Sequence, residues 1–357
     1  MILKKGVGWT KNREYGIIKI LMINDLPIAP PDAARILLAT LLAKRMRDVV
    51  ERRYGLKGRH RATLESIGGL YKITRERVRQ IERDAMSRLR REEHPAVVSL
   101  LVAVEGLLLD HGGVMAARHL FSSLAPERMH PHLQFLLQTS PRFTYVPETE
   151  GFHARWAISE AAVQESEKVM GDATEHLGRG AKTLGEQDMR GLLGIEARAA
   201  DASLAATKTI QKNPYGEYGL ASWPTVCPRG IKDKAYAALV ISGKPLHFRE
   251  VALAIDRAGW PGKKKAHAQT VHNELIKDKR FILVGRGMYA LQDWGYEPGT
   301  VADVLVSVLQ ESPKPLGREE IITLASERRM VKPQTILLNL QDKTRFRRTD
   351  EGKYTLV

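Results

Sequence analysis

Apolar residues recur at three- and four-residue spacing from residue 33 onward, which is the periodicity of amphipathic helices. This spacing predicts one long helix from Ala33 to Arg53, with Gly55 at its C-cap. Glycine is favoured there because it enters the left-handed region without steric cost. The apolar stripe of the predicted helix consists of Leu37, Leu38, Leu41, Leu42, Met46 and Val50.

Two further helical patterns follow, each preceded by a threonine. Thr63 is expected to cap a short helix over 64–71, and Thr74 a longer helix that follows a tight turn. Gly68 and Gly69 would let the two helices approach closely. The apolar positions expected to be buried are Leu64, Ile67 and Leu70 in the first helix, and Val78, Ile81, Ala85 and Leu89 in the second. This arrangement predicts a helix-turn-helix.

The opposite face of the last helix is polar and mostly basic. A helix of this kind fits the major groove of DNA, where arginine pairs with guanine, glutamine with adenine and glutamate with cytosine. The alternative is an ordinary solvated helix face, and the helix-turn-helix frame favours DNA. The candidate DNA-binding residues are Thr63, Thr74, Arg75, Glu76, Arg77, Arg79, Gln80 and Arg83.

The charge of the chain agrees with a polyanionic partner. The 357 residues include 56 Lys+Arg against 41 Asp+Glu, a net charge of +15. Residues 44–93 alone hold 16 Lys+Arg and 8 Asp+Glu, whereas 94–357 hold 34 and 30. Positive charge concentrated in one helical segment is typical of a nucleic-acid footprint. The low aromatic content, 6%, is typical of small helical modules.

Other classes of protein find little support. A single cysteine, Cys227, excludes an intramolecular disulfide framework and a multi-cysteine zinc site. The sequence contains no run of 18 apolar residues, so no membrane span is expected, and it shows no evident signal peptide. We therefore expect a cytoplasmic, nucleoid-associated protein. Met22 is an alternative start, because 1–21 show no periodicity.

Nor does the sequence contain a recognisable catalytic constellation. His130, His132 and His247 lie in apolar contexts without acidic or cysteine partners at ligand spacing, so each is expected to make a structural hydrogen bond. The only glycine pair of interest, Gly285 and Gly287, lies in a predicted hairpin turn rather than before a helix. We therefore expect no enzyme activity, no cofactor and no metal.

The remainder of the chain repeats itself. Arg-Phe pairs at 142–143, 280–281 and 345–346 each begin a predicted strand, turn and returning strand, and Phe281 and Phe346 are 65 positions apart. Upstream, 244–251 resembles 314–321. The unit reads as three helices and a hairpin, which describes a winged helix. Strand alternation predicts that Phe143, Phe281 and Phe346 are buried and that the preceding arginines face outward.

The predicted fold is therefore mainly α, with a helix-turn-helix followed by winged-helix modules that carry small β-hairpin wings. The predicted domains are a flexible extension at 1–32, the helix-turn-helix at 33–93, winged-helix-like units at 97–160 and, in degenerate form, 161–226, and winged helices at 229–296 and 299–357.

The motifs at 52–56, 63–68 and 73–82 resemble region four of bacterial RNA polymerase sigma factors, above all the primary sigma group. The Thr-Arg-Glu-Arg-Val-Arg-Gln-Ile-Glu run at 74–82 is the most specific of them. The resemblance implies that this helix reads the upstream element of promoter DNA and that the domain docks on the β-subunit flap of RNA polymerase. The chain departs from the family at Asp84, where a basic residue is usual. No stretch resembles the promoter-melting region.

The unit at 229–296 resembles the HARE-HTH winged-helix family through its segments 229–236, 245–252, 270–275 and 280–291. That family includes the delta subunit of bacterial RNA polymerase. Four basic residues near its expected recognition helix and wing are candidates for a secondary contact with DNA or a partner protein: Lys263, Lys264, Lys265 and Arg286.

These observations predict a DNA-binding transcription factor of the bacterial initiation machinery, with double-stranded promoter DNA and RNA polymerase as partners. The alternative is a polymerase-associated scaffold akin to the delta subunit, whose helix-turn-helix no longer reads sequence. A restriction-type enzyme is a third reading, and no catalytic carboxylate–lysine cluster supports it.

Overall fold

The computed structural model describes residues 9–10, 18–19, 26–58, 60–91, 94–260 and 265–357. The fold is mainly helical, with small antiparallel sheets. The chain divides into two compact units, Met1–Ile210 and Gln211–Val357, which are described separately below.

The first unit begins with six elements. They are β1 (Trp9–Thr10) and its antiparallel partner β2 (Ile18–Lys19), then α1 (Pro30–Leu41), α2 (Lys44–Tyr54), α3 (Leu64–Tyr71) and α4 (Arg75–Arg91). The prediction of one helix from Ala33 to Arg53 is wrong, because Leu42 and Ala43 adopt extended backbone conformations that separate α1 from α2. Helix α1 also starts inside the predicted extension. Most of the extension expected to be flexible at 1–32 falls outside the described residues, namely 1–8, 11–17 and 20–25.

The predicted helix ends are confirmed. Gly55 closes α2 in the left-handed conformation with φ 71°, and the Thr63 hydroxyl accepts a hydrogen bond from the Ser66 amide at 3.1 Å. The Thr74 hydroxyl likewise accepts from the Arg77 amide at 3.2 Å. The expected burial of Leu70 is wrong, because its side chain is 57% exposed.

The first unit continues with two groups of elements. The first group is α5 (Pro95–Asp110), β3 (Val114–Ala116), α6 (Ala117–Leu124), α7 (His130–Thr139), β4 (Thr144–Val146) and β5 (Arg155–Ala157), whose strands form an antiparallel sheet in the order β3-β5-β4. The second is α8 (Glu160–Gly180), α9 (Glu186–Leu193) and α10 (Ala197–Ala206). Helices α8 and α10 are joined by a buried hydrogen bond of 3.0 Å between the Ser166 and Ser203 hydroxyls.

One hydrophobic core joins the helix-turn-helix to the segment that follows it. The core contains buried residues of α1 and α4 together with α5, α7 and Trp156 on β5. At its edge the Tyr54 ring meets the Phe135 ring edge-on at 5.3 Å, and the His132 imidazole Nε2 lies 2.9 Å from the Leu56 carbonyl oxygen. Helices α1–α4 are therefore packed against 95–157 through tertiary contacts.

The second unit starts with a hairpin and then contains two helical groups. Its elements are β6 (Ile210–Lys212), β7 (Tyr218–Leu220), α11 (Ile231–Ser242), β8 (Leu246–His247), α12 (Phe248–Ala258), α13 (Ala268–Lys277), β9 (Phe281–Gly285), β10 (Met288–Leu291), α14 (Val301–Glu311), α15 (Arg318–Arg328), α16 (Pro333–Asn339), β11 (Phe346–Arg348) and β12 (Tyr354–Leu356). Strands β8, β10 and β9 form one sheet in that order, and β11 pairs with β12.

The order of helix, short extended segment, two helices and hairpin occurs in 95–157, 231–291 and 301–356. In the first two repeats the extended segment is a strand paired with the last strand of the hairpin. In the third, Leu316 makes an isolated bridge to Tyr354 at the equivalent place. The unit expected to be degenerate has the same element order in 160–220, where its extended segment is the single bridge residue Leu184 between α8 and α9. The internal repetition seen in the sequence therefore corresponds to a repeated topology.

The aromatic residues predicted to lie in the repeat cores are buried. Phe143, Phe281 and Phe346 each belong to a separate hydrophobic cluster. The arginines that precede them are expected to face outward, and this expectation is wrong in part. Their guanidinium groups turn back to acidic residues on the first helix of each repeat: Arg142 to Glu105 at 2.9 Å, Arg280 to Asp233 at 2.9 Å and Arg345 to Asp303 at 3.2 Å.

The three histidines have the structural hydrogen bonds expected of them. His130 Nε2 lies 3.0 Å from the Ala125 carbonyl oxygen, and His247 caps α12 by accepting from the Arg249 amide. In the described ranges, no three His, Cys, Asp or Glu side chains are grouped so that they could hold a metal ion. None of the helices described here is long and apolar enough to cross a membrane.

Candidate nucleic-acid interface

The turn between α3 and α4 is fixed by a small core and a glycine. Val49, Ile67 and Val78 are buried together, one from each of α2, α3 and α4. A Cβ atom at Gly68 would lie only 2.7 Å from the Ile73 carbonyl oxygen, so the chain can pass this closely only where a side chain is missing. The relative placement of α3 and α4 is therefore tightly determined.

Helix α2 makes polar contacts with the segment that leads into α3, with α3 itself and with α4. Arg53 donates to the Ala62 carbonyl oxygen at 3.2 Å, and its Nε lies 3.4 Å from a Glu82 carboxylate oxygen on α4. Asp48 accepts hydrogen bonds from Arg52 and from the Tyr71 hydroxyl at 2.6 and 2.5 Å. Burial opposes ionisation of Asp48, but these hydrogen bonds outweigh it and leave the pKa of the carboxyl lowered.

All eight side chains singled out in the helix-turn-helix are exposed, and six of them lie on α4. Thr63 and Thr74 use their hydroxyl oxygens to cap α3 and α4, which leaves each hydroxyl hydrogen available to an external acceptor. The first turns of α4 therefore present a polar surface that the core does not need.

Two of the candidate arginines are held by neighbours one turn away. Arg79 grips Glu76 through Nε and Nη2, at 2.8 and 2.5 Å, and this pair lowers the pKa of Glu76. Arg77 donates to the Gln80 amide oxygen at 3.0 Å. These contacts fix where the guanidinium groups point, although both pairs are open to solvent and can exchange for a ligand.

Arg75 and Arg83 are different. Within the described ranges neither has a carboxylate at ion-pair distance. Lys72, which sequence analysis passed over, is similarly exposed in the turn before α4, in the left-handed conformation with φ 53°. A basic residue inside the turn of a helix-turn-helix is the signal that could have identified it. Asp84, the departure noted above, is exposed on α4.

The four secondary candidates belong to the second unit. Lys263 and Lys264 fall outside the described residues, whereas Lys265 is exposed just before α13. Arg286 is exposed at the turn between β9 and β10. The next residue, Gly287, has φ 70°, and a Cβ there would meet the His247 ring at 2.6 Å, so this turn is also closely determined.

The geometry at α3 and α4 defines a helix-turn-helix with an exposed basic recognition helix. Comparison with known proteins narrows the class: residues 39–91 match the family Sigma-70, region 4. The segment is also similar to the RNA polymerase sigma factor SigA1 of Synechococcus elongatus, with 50% identity over 60 residues that cover 17% of this chain and 14% of the relative.

A second relative, RNA polymerase sigma factor SigA of Microcystis aeruginosa, is 48% identical over 60 residues, with the same coverage of 17% and 14%. The chain thus spans only a small part of the length of the relatives it matches. The comparisons do not extend the likeness to the winged-helix family inferred from the sequence of 229–296.

Proposed function

We propose that this protein is a DNA-binding transcription factor of the bacterial initiation machinery, in which α4 reads promoter DNA. The observation that carries the proposal is the exposed face of α4, where Arg75, Arg79 and Gln80 stand on a rigid helix-turn-helix and serve no purpose in its core. A helix with such a face fits the major groove, and its first turns reach the base edges.

The contacts within α4 support distinct roles for its side chains. Arg75 carries no ion pair among the described residues, so it meets DNA without first losing a partner. Arg79 is aligned by Glu76 and keeps Nη1 for a base or phosphate. Thr63, Thr74, Arg77 and Arg83 flank these positions as phosphate contacts that set the register of the helix on the duplex.

RNA polymerase is the second proposed partner, through the β-subunit flap. The support is the similarity of 39–91 to region 4 of sigma factors. We further propose that the chain acts without a promoter-melting region, and that the repeats at 229–296 and 299–357 are winged helices of the HARE type. Lys263, Lys264, Lys265 and Arg286 are proposed secondary contacts of the first of these.

A polymerase-bound scaffold akin to the delta subunit is the second candidate. The repeated topology of 231–291 and 301–356 favours it, because such small modules serve protein contacts as well as DNA contacts. The two candidates differ in whether α4 discriminates between DNA sequences.

An Arg79→Ala variant tests the proposal. Loss of a good bidentate base contact costs about 1–3 kcal/mol of discrimination between sites. A preferred duplex is first selected from a random pool with the full chain, and wild type and variant are then titrated against that duplex and a scrambled one. We expect Arg79→Ala to weaken binding to the preferred duplex by roughly 5- to 150-fold and to the scrambled duplex far less.

Arg88→Ala is the matched control, since Arg88 is an exposed arginine in the last turns of the same helix. It should lower affinity for both duplexes by the same small factor. Equal losses on both duplexes for Arg79→Ala would limit Arg79 to phosphate contact. Selection that enriches no sequence would favour the scaffold.

A further inference from the structure

The near-neutral charge of 94–357 hides two opposite regions. Residues 94–210 hold 10 Lys+Arg and 14 Asp+Glu, whereas 211–357 hold 24 and 16. The second unit therefore carries a net charge of +8, as large as that of the helix-turn-helix block at 44–93. An acidic segment separates two basic ones along the chain, which is the pattern of two binding regions and not of one extended basic surface.

Carboxylates in 231–291 are largely committed to the fold. Asp233 and Asp278 both bind Arg280, at 2.9 and 2.7 Å. Glu250 accepts from the His247 amide at 2.9 Å, and Asp256 accepts from the Ala266 amide at 2.8 Å. These acidic groups are used in caps and ion pairs. Among the described residues of this repeat, Lys265 and Arg286 are exposed and have no carboxylate at ion-pair distance.

The wing of this repeat lies against the next repeat of the same unit. Arg329 donates to the Leu283 carbonyl oxygen at 3.1 Å, and a Cβ built on Gly285 would lie 3.3 Å from the Met330 carbonyl oxygen. The β9–β10 turn is thus adjacent to the loop that leads into α16. Arg286 follows Gly285 on one side of this contact.

Lys332 follows Met330 on the other side. Both Arg286 and Lys332 are exposed, and neither has a carboxylate at ion-pair distance in the described parts of the chain. The stretch 329–348, which includes α16 and β11, holds six Lys+Arg and one acidic residue, Asp342. Positive charge therefore accumulates where the two repeats meet.

A polar pair recurs at this place. Gln269 and Thr270 occupy the first turn of α13, and Gln334 and Thr335 the first turn of α16, and all four side chains are exposed. Packing explains why apolar residues recur between repeats, such as Val271 and Ile336, which are both buried. Packing does not explain why an exposed Gln-Thr pair recurs. A ligand that both helices bind does explain this recurrence. Amide and hydroxyl groups bind both base edges and phosphates.

We propose that Arg286, Lys332, Gln334 and Thr335 form a second surface for duplex DNA, here termed the junction surface, so that one chain can hold two DNA segments at once. The proposal rests on the proposed function for α4, which supplies the first site. Duplex DNA is favoured over an acidic protein because the surface combines unpaired cations with a helix that presents Gln and Thr, the chemistry of groove and backbone contact.

The experiment measures capture of one DNA by another with the full chain. The preferred duplex is attached to beads and saturated with protein, the beads are washed, and a fluorescent duplex of scrambled sequence is added. Wild type should retain the fluorescent duplex. Arg286→Glu/Lys332→Glu should retain at least tenfold less for each protein molecule loaded on the beads, with the loading measured in parallel. Lys314→Glu/Arg318→Glu is the control of equal charge change, at exposed positions before and at the start of α15.

A third variant separates the two proposals. Arg75→Glu/Arg79→Glu should lose preferential loading on the attached duplex but should still bind the scrambled duplex in solution. Its affinity for the scrambled duplex should fall as salt is added. When Arg286→Glu/Lys332→Glu is added to this variant, the slope of log K against log salt should become smaller in magnitude by about two. Normal loading of Arg75→Glu/Arg79→Glu would contradict the role of α4 alone. Capture by Arg286→Glu/Lys332→Glu equal to wild type would overturn the junction surface, whether the residual bridging came from self-association or from another site.

Discussion

Arginine 280 shows how a residue can obey a strand's alternation and still turn its charged end back onto the protein. It precedes the buried Phe281, as expected, but its guanidinium folds back to Asp278 and Asp233 and lies 4.9 Å from the centre of the Tyr236 ring. The sequence contains the signal, since Asp233 and Asp303 occupy the same third position of α11 and α14. The alternation of a strand specifies only the direction of each Cα–Cβ bond. The end of a long side chain such as arginine can still fold back onto the protein.

The ion pair around Arg280 makes the second unit sensitive to acid. Hydrogen bonds from Arg280 lower the pKa of Asp278 below its usual value of 3.8. A carboxyl whose pKa is lower in the folded state contributes stability above its unfolded pKa, and that contribution is lost as the pH falls through the folded pKa. Asp278→Asn should therefore lower the melting temperature of the second unit at pH 7, and this difference should shrink at an acid pH well below 3.8.

Differential scanning calorimetry at the two pH values checks this prediction. Asp293→Asn is the control, because Asp293 is exposed and has no cationic side chain at ion-pair distance in the described parts of the chain. An equal loss from Asp278→Asn at both pH values would mean that packing, and not the charge, is what matters at this position.

At the scale of elements, the helix ends were predictable where a residue type has a local reason to be there. Thr63, Thr74 and Gly55 cap helices through their own hydroxyl or backbone properties. The break between α1 and α2 was not predictable, because the apolar periodicity continues through Leu42 and no glycine or proline marks it. Leu42 is buried in the shared core, so tertiary packing overrides local helix preference there.

Adjacent glycines in α3 allow a matched test of the helix-turn-helix. Gly68→Ala places a Cβ 2.7 Å from the Ile73 carbonyl oxygen, and relief of that clash requires movement of α4. Crowding of this kind typically costs 1–3 kcal/mol, so we expect about that loss of stability together with weaker DNA binding. Gly69 has open space around its Cβ position, and Gly69→Ala should stabilise the helix by about 0.5–1 kcal/mol.

Chemical denaturation of the two variants, with DNA titration in parallel, decides the matter. Equal stability of Gly68→Ala and Gly69→Ala would show that the turn has room to adjust and that close packing at Gly68 is not required.

At the scale of the whole molecule, the repeated topology could be predicted and the sharing of cores could not. Internal similarity located the hairpins at Phe143, Phe281 and Phe346, because strand and turn signals are local. The apolar face of α1 could pack against any apolar surface, so the sequence does not predict that α7 is the helix it packs against. The second basic region also escaped, since an average over 94–357 cancels its charge against the acidic stretch before it.

Two buried phenylalanines report on the separate cores. Phe135 lies in the core that supports the helix-turn-helix, and Phe281 lies in that of 231–291. Truncation of a buried phenylalanine costs about 3–5 kcal/mol. Phe135→Ala should lower the stability of the first unit and weaken recognition of the preferred duplex, although Phe135 is outside the helix-turn-helix. Phe281→Ala should destabilise the second unit and leave that recognition intact.

Calorimetry and DNA titration on both variants test this pair of expectations. Loss of duplex recognition in Phe281→Ala would contradict the assignment of the cores. So would full recognition by Phe135→Ala at a temperature where the first unit has begun to unfold.

The shared core also sets an order of events during protein synthesis. Helix α1 starts at Pro30, but the core to which it contributes also contains Trp156 on β5, so that core cannot be complete until more than 120 further residues have been made. At roughly 5–20 residues per second, this interval is about 6–25 s. A nascent chain that already contains all of α4 therefore still lacks part of the core that supports this helix, and the proposed recognition of DNA depends on a segment made after the helix-turn-helix.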